Sequence, residues 1–132
     1  MSNKPQTPEE TANEELVNRF CEDWAKQDVD LLAEYLDSDI EYQMYEGRPD
    51  IVGIDDFKKE LRDFLNRLKE VKWEIYRSYA IGELVINERI DHFIDEDDSK
   101  SFHLPIAGVF LVRDGKIKMW KDYSLKGGVL QP

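Results

Sequence analysis

The 132-residue chain contains one cysteine, two histidines and five prolines, and its 18 basic residues are outnumbered by 29 acidic ones. A single thiol excludes an intramolecular disulfide, and Cys21 with two histidines is thin stock for a zinc site. A formal charge of −11 argues against nucleic acid as a partner, because neutralising phosphates needs a surplus of Lys and Arg. The densest basic stretch, Lys58-Lys59 to Arg62, is interleaved with Glu60 and Asp63. No apolar run approaches the ~20 residues that cross a bilayer. Residues 1–10 (MSNKPQTPEE) also lack the apolar stretch of a signal peptide. The expectation is a soluble, cytoplasmic protein without a membrane partner. Neither a Gly-x-Ser-x-Gly elbow nor a phosphate-cradling glycine loop occurs.

What is present suffices for a core: 41% of residues are hydrophobic and 36% charged. The length fits one domain over residues 1–132, with a flexible tail over 1–7 and a C-terminal tail over 126–132. Thr7-Pro8-Glu9-Glu10 combines a capping hydroxyl, proline at the first helical position and Glu three residues after the cap. Leu16, Val17, Phe20 and Trp24 follow at helical spacing. Asp28-Val29-Asp30 predicts a short second helix through Leu31, Leu32, Tyr35 and Leu36. A third begins near Gly53-Ile54-Asp55, with Phe57, Leu61, Phe64, Leu65 and Leu68 as its stripe.

Between the second and third helices, Ile40–Tyr45 alternates as a short strand, and Glu46–Asp50, with Gly47 and Pro49, reads as a loop. From Lys72 onward the chain predicts strands over Lys72–Ala80, Glu83–Ile94, Ser101–Val112 and Lys116–Leu125. Asp114-Gly115 is a strong hairpin signal. Helices first and long antiparallel strands after predict an α+β fold, a cone-shaped roll with the helices on a curved, mostly antiparallel sheet. In the second long strand Leu84, Ile86 and Ile90 point one way while Val85 and Phe93 point the other. A sheet apolar on both faces needs a cover on the second, and a homodimer through the outer sheet face is the expectation.

Residues two apart on a strand share a face, which pairs Arg89 with Asp91, Trp120 with Asp122, and Tyr42 with Met44. If Arg89 and Asp91 point inward with Val85 and Phe93, burial forces pairing, and one guanidinium can hold the carboxylates of both Asp91 and Asp122. Two carboxyls so held titrate unequally, leaving one acid and one base near neutrality. The plainer alternatives are a solvated cross-strand ion pair, a structural Asp122 and a core Trp120. His103 fits a satisfied strand histidine better than an acid or base. Cys21, beside Phe20 and Trp24, fits a structural thiol. Asp95-Glu96-Asp97-Asp98 lacks the spacing and glycine of a calcium loop.

Asn87-Glu88-Arg89-Ile90-Asp91 resembles the Glu-Arg-x-Asp strand of the limonene-1,2-epoxide hydrolase family. Phe102-His103-Leu104-Pro105-Ile106-Ala107-Gly108-Val109-Phe110 and Gly115–Tyr123, which contains Trp120-Lys121-Asp122-Tyr123, resemble that family's last two strands. Glu41-Tyr42-Gln43 falls where the family has its Tyr-Gln-Asn element. The resemblance implies a roll shared with nuclear-transport-factor-like and polyketide-cyclase-like proteins, and one-step opening of a small apolar epoxide by water without metal or cofactor. It implies Asp91 as the acid, Asp122 as the base, Arg89 as the bridge between them and Tyr42 as a holder of the water. Phe93, Leu104, Ile106, Trp120 and Met44 would line the substrate pocket. One place departs from the family: the asparagine that also serves its water site is here Met44, whose thioether is a weak acceptor and no donor. Two other readings stay open: an isomerase or cyclase of the ketosteroid-isomerase-like type, and a non-catalytic small-molecule-binding domain.

Overall fold

The computed structural model describes residues 5–130. Helix α1 (Pro8–Asp23) opens with a complete capping box: Thr7 Oγ1 accepts from the Glu10 amide at 3.1 Å, and Glu10 Oε1 accepts from the Thr7 amide at 2.8 Å. A 3-10 turn (Trp24–Lys26) and Gln27, at φ 54°, redirect the chain into α2 (Val29–Ala33), capped by the Asp28 carboxylate. Strand β1 (Leu36–Gln43) and the short β2 (Ile51–Val52) precede α3 (Ile54–Arg67). The long strands are β3 (Glu70–Ile81), β4 (Leu84–Ile94), β5 (Phe102–Arg113) and β6 (Lys116–Ser124).

These strands make one six-stranded sheet in the order β2-β1-β6-β5-β4-β3. All neighbours are antiparallel except β1 and β6, which run parallel. Register shifts between Ile75 and Arg77 and between Leu111 and Val112 add the local twist that curls the sheet. The inner face buries Val85, Phe93, Phe110, Val112, Ile117 and Trp120 against Val17, Phe20 and Cys21 of α1 and Phe57, Leu61 and Leu65 of α3. No helix among the described residues is long and apolar enough to cross a membrane. The α+β cone with helices on one face is the architecture expected from the sequence.

Two local expectations need correction. The second helix stops at Ala33, and Leu36 begins β1 instead, because the Tyr35 carbonyl is recruited by the Ile117 amide of β6. Strand pairing outweighs local helical spacing there. β1 therefore spans Leu36–Gln43 rather than Ile40–Tyr45, and β2 is an element the loop chemistry did not reveal. Of the tail 1–7, residues 1–4 lie outside the described residues, and Gln6 accepts from the Ala80 amide at 2.7 Å and donates to Glu14 Oε1 at 2.8 Å.

Of the tail 126–132, residues 131–132 lie outside the described residues. The preceding segment turns back on itself: the Leu125 amide bonds to the Pro105 carbonyl and the Gly128 amide to the Leu125 carbonyl. Arg77 then donates to the Leu130 carbonyl while pairing with Glu88. Glu88 alternates with the buried Asn87 and Arg89, so this contact lies on the outer face, and the end of the chain folds back across that face.

Candidate active site

Strand alternation places Asn87, Arg89, Asp91 and Phe93 of β4 on the inner face. Arg89 is completely buried there. Its Nε donates to Asp91 Oδ1 at 2.7 Å and its Nη2 to Asp91 Oδ2 at 3.1 Å. The same Nη2 donates to Asp122 Oδ2 of β6 at 2.8 Å. Trp120 Nε1 donates to the other oxygen, Asp122 Oδ1, at 2.8 Å. The guanidinium also lies 4.2 Å from the Trp73 ring centroid.

The electrostatics follow from counting charge. One guanidinium with two ionised carboxylates leaves a buried charge of −1, which a low-dielectric interior resists, whereas one retained proton makes the group neutral. Burial pushes Asp91 up to about 7, helped by Asp122 and opposed by Arg89. Burial likewise raises Asp122, against the pull of Arg89 and the Trp120 indole. The two titrate as a pair, so the proton belongs to both. Tyr42 keeps its phenolic proton, because burial drives its pKa well above the usual value. Among the described residues no three His, Cys, Asp or Glu side chains converge as metal ligands would.

Above the carboxyls lies a cavity of about 640 Å³. Asp91, Asp122 and Tyr42 are part of its lining, and Phe93, Leu104, Ile106 and Met44 are in the wall. Leu104 is 42% exposed and stands at the rim. Trp120 is not in the wall. It is fully buried behind it, stacked on Tyr42 at 3.6 Å and on Phe110 at 5.6 Å, where it supports Asp122 instead of meeting a ligand. His103 meets His92 on the outer face, the two Nδ1 atoms 2.7 Å apart, and takes no part in the cavity.

The model of the SnoaL-like domain family matches residues 17–120. The chain belongs to that family. Among solved structures this SnoaL-like domain is similar to an M. tuberculosis LEH-like epoxide hydrolase, with 30% identity, a TM-score of 0.79, and 89% of this chain and 86% of that one covered. A putative SnoaL-like polyketide cyclase from Jannaschia sp. CCS1 is 13% identical with a TM-score of 0.77, covering 92% of this chain and 91% of that one. A putative polyketide cyclase from Xanthomonas campestris pv. campestris is 24% identical, with a TM-score of 0.73 and 88% and 92% covered. The two cyclase likenesses show the fold alone, the nuclear-transport-factor-like cone.

Several contributors to the site of this SnoaL-like domain went unassigned in the sequence reading. Trp24, Trp73, Leu61 and Phe64 bring helix and edge-strand surface to the cavity. Arg48 sits at the rim, its Nη1 2.8 Å from Met44 Sδ and its Nη2 2.8 Å from Glu60 Oε2. Glu46 accepts from the Ser124 amide at 2.8 Å and so ties the loop after β1 to the end of β6. Of these, only Arg48 had a signal nearby, the departure from the family pattern at Met44, which it approaches.

Proposed function

We propose that the chain is an epoxide hydrolase that adds water to a small apolar epoxide in one step, giving a vicinal diol. The observation that carries this reading is the buried Arg89 guanidinium divided between Asp91 and Asp122 beneath an apolar cavity. The 30% identity to an LEH-like epoxide hydrolase supports it. In this reading Asp91 enters as the carboxylic acid and protonates the epoxide oxygen as the ring C–O bond breaks. Asp122 enters as the carboxylate and takes a proton from the water whose oxygen forms the new C–O bond. The products are a diol, an ionised Asp91 and a protonated Asp122, and one proton moved back within the pair resets the site. Tyr42, on the cavity wall and protonated, offers the water a hydroxyl. Arg89 stays cationic throughout, since the two carboxyls raise its pKa.

General acid and general base assistance each contribute about 10²–10⁴ in rate. Asp91→Asn and Asp122→Asn should each lower diol formation from a panel of small apolar epoxides by that order, as followed by chromatography. Turnover surviving in both variants would end this assignment.

A second reading is favoured by Met44, whose thioether, approached by Arg48, leaves this part of the wall without an amide. A drier cavity suits proton transfer beside a carbonyl, as in an isomerase or cyclase. Turnover of an unsaturated ketone, with no diol from any epoxide, would select it. The outer face, with Ile86, Val109 and Leu111 opposite in parity to the buried inner residues, is read as the contact of a homodimer.

A further inference from the structure

Asn87 is 1% exposed, and its polar atoms are used inside the protein. Its Oδ1 accepts from Arg89 Nη1 at 3.1 Å. Nη1 can only donate, so the amide must turn its oxygen toward the guanidinium. That leaves Nδ2 facing Cys21 Sγ of α1, 3.5 Å away. Burial pushes the Cys21 thiol up to about 12, so it remains a neutral partner. Gly108, paired with Asn87 across β4 and β5, completes the enclosure. A Cβ there would stand 2.3 Å from Arg89 Nη1, 2.8 Å from Phe110 Cε1 and 2.9 Å from Asn87 Oδ1. The guanidinium is thus held on one face by Trp73, along one edge by the carboxyls and at its remaining nitrogen by Asn87.

We propose that Asn87 is a positioning residue for the acid–base pair, a neutral acceptor that fixes Arg89 so that its Nε–Nη2 edge serves Asp91 and Asp122. The inference rests on the reading of those two as acid and base. Neutrality is the point. One guanidinium and two carboxyls balance with one proton, which leaves one acid and one base. A third carboxyl at position 87 would draw in a second proton, and the one carboxylate left would be shared among three positions instead of standing ready at Asp122. The charged and titratable groups facing Arg89 are Asp91 of β4, Asp122 of β6, Cys21 of α1 and Tyr42 of β1, so none of them supplies a compensating cation.

The test uses the full chain with Asn87→Asp, nearly the same in shape, and Asn87→Ser, which withdraws the acceptor. Carboxyl carbon titrations by NMR are read with Asp91→Asn as the assignment control, alongside pH–rate profiles. N87D should move the Asp91 midpoint upward by about one pH unit and shift the alkaline limb of the rate profile with it. N87S should lower kcat by up to about a hundredfold with KM little changed, and should move the Asp91 midpoint upward by less, because a loosened guanidinium supports the carboxylate poorly. Midpoints equal to the parent's in folded N87D and N87S would overturn the proposal. So would a loss of folding in both, which would give Asn87 a structural role alone. If only N87D fails to fold, N87S decides. Shifted midpoints in a chain that hydrolyses no epoxide would leave the positioning role standing and remove the hydrolase reading.

Discussion

Asp91 keeps its proton to about pH 7 because ionising it beside Asp122 would bury a net negative charge. Turnover should therefore fall as pH rises through about 7, where the pair loses the proton that serves as acid, and a pH–rate profile measures it. The same proton is linked to stability. The folded pKa of about 7 lies above the ordinary 3.8, so the native state binds more protons than the unfolded chain between those values. This contribution is fully present below 3.8 and is lost as pH rises to about 7. The carboxylates with lowered pKa, such as Asp30 at about 2 and the glutamates lowered from 4.5, change their contribution below about 4.5, so the range from there to about 7 belongs to the buried pair. Melting temperatures at constant ionic strength should decline across it. Met44 carries a separate expectation: Met44→Asn restores an amide to the wall and should raise diol formation several-fold, read as kcat on the same epoxides. At this scale Arg89, Asp91 and Asp122 were legible because alternation fixes their face and burial then demands pairing. Asn87 carries the same parity signal, but an amide two residues before an arginine has no chemistry until Cys21 and Gly108 close around it. Trp120 stands behind the expected wall for a related reason: parity puts it on the inner face but does not distinguish a wall from what supports it.

Elements were legible wherever one side chain decides a backbone group. Thr7, Pro8 and Glu10 announced α1, and Asp28 announced α2, through hydrogen bonds that form within three residues. The Asp114-Gly115 turn is equally local: both residues have positive φ, 53° and 73°. Gly115→Ala puts a Cβ into that left-handed conformation and should lower stability by about 1–2 kcal/mol, as measured by denaturant unfolding. What escaped was decided at a distance. β1 begins at Leu36 because β6 supplies a partner 81 positions later, at Ile117, in a parallel pairing no local pattern can express. β2 holds only two residues and exists through Glu41 and Tyr42 opposite it.

At the scale of the molecule, the order of helices and strands was enough to reach a cone, while the strand order and the course of the chain end were not. The outer face mixes Ile86, Val109, Leu111 and Met119 with Lys118 and Lys121. If it is a homodimer contact, sedimentation equilibrium should give twice the chain mass of 15.6 kDa, and Val109→Asp should return the mass to a single chain. A mass of 15.6 kDa for the parent protein would remove that reading. The backward course of residues 125–130 bears on how such an experiment is prepared. Leu130 is anchored to Arg77 on the very surface in question, so whatever is fused within a few residues of it starts from that face and competes with a second copy for it. Material for hydrodynamic work should therefore carry its tag at the amino terminus, or none at all.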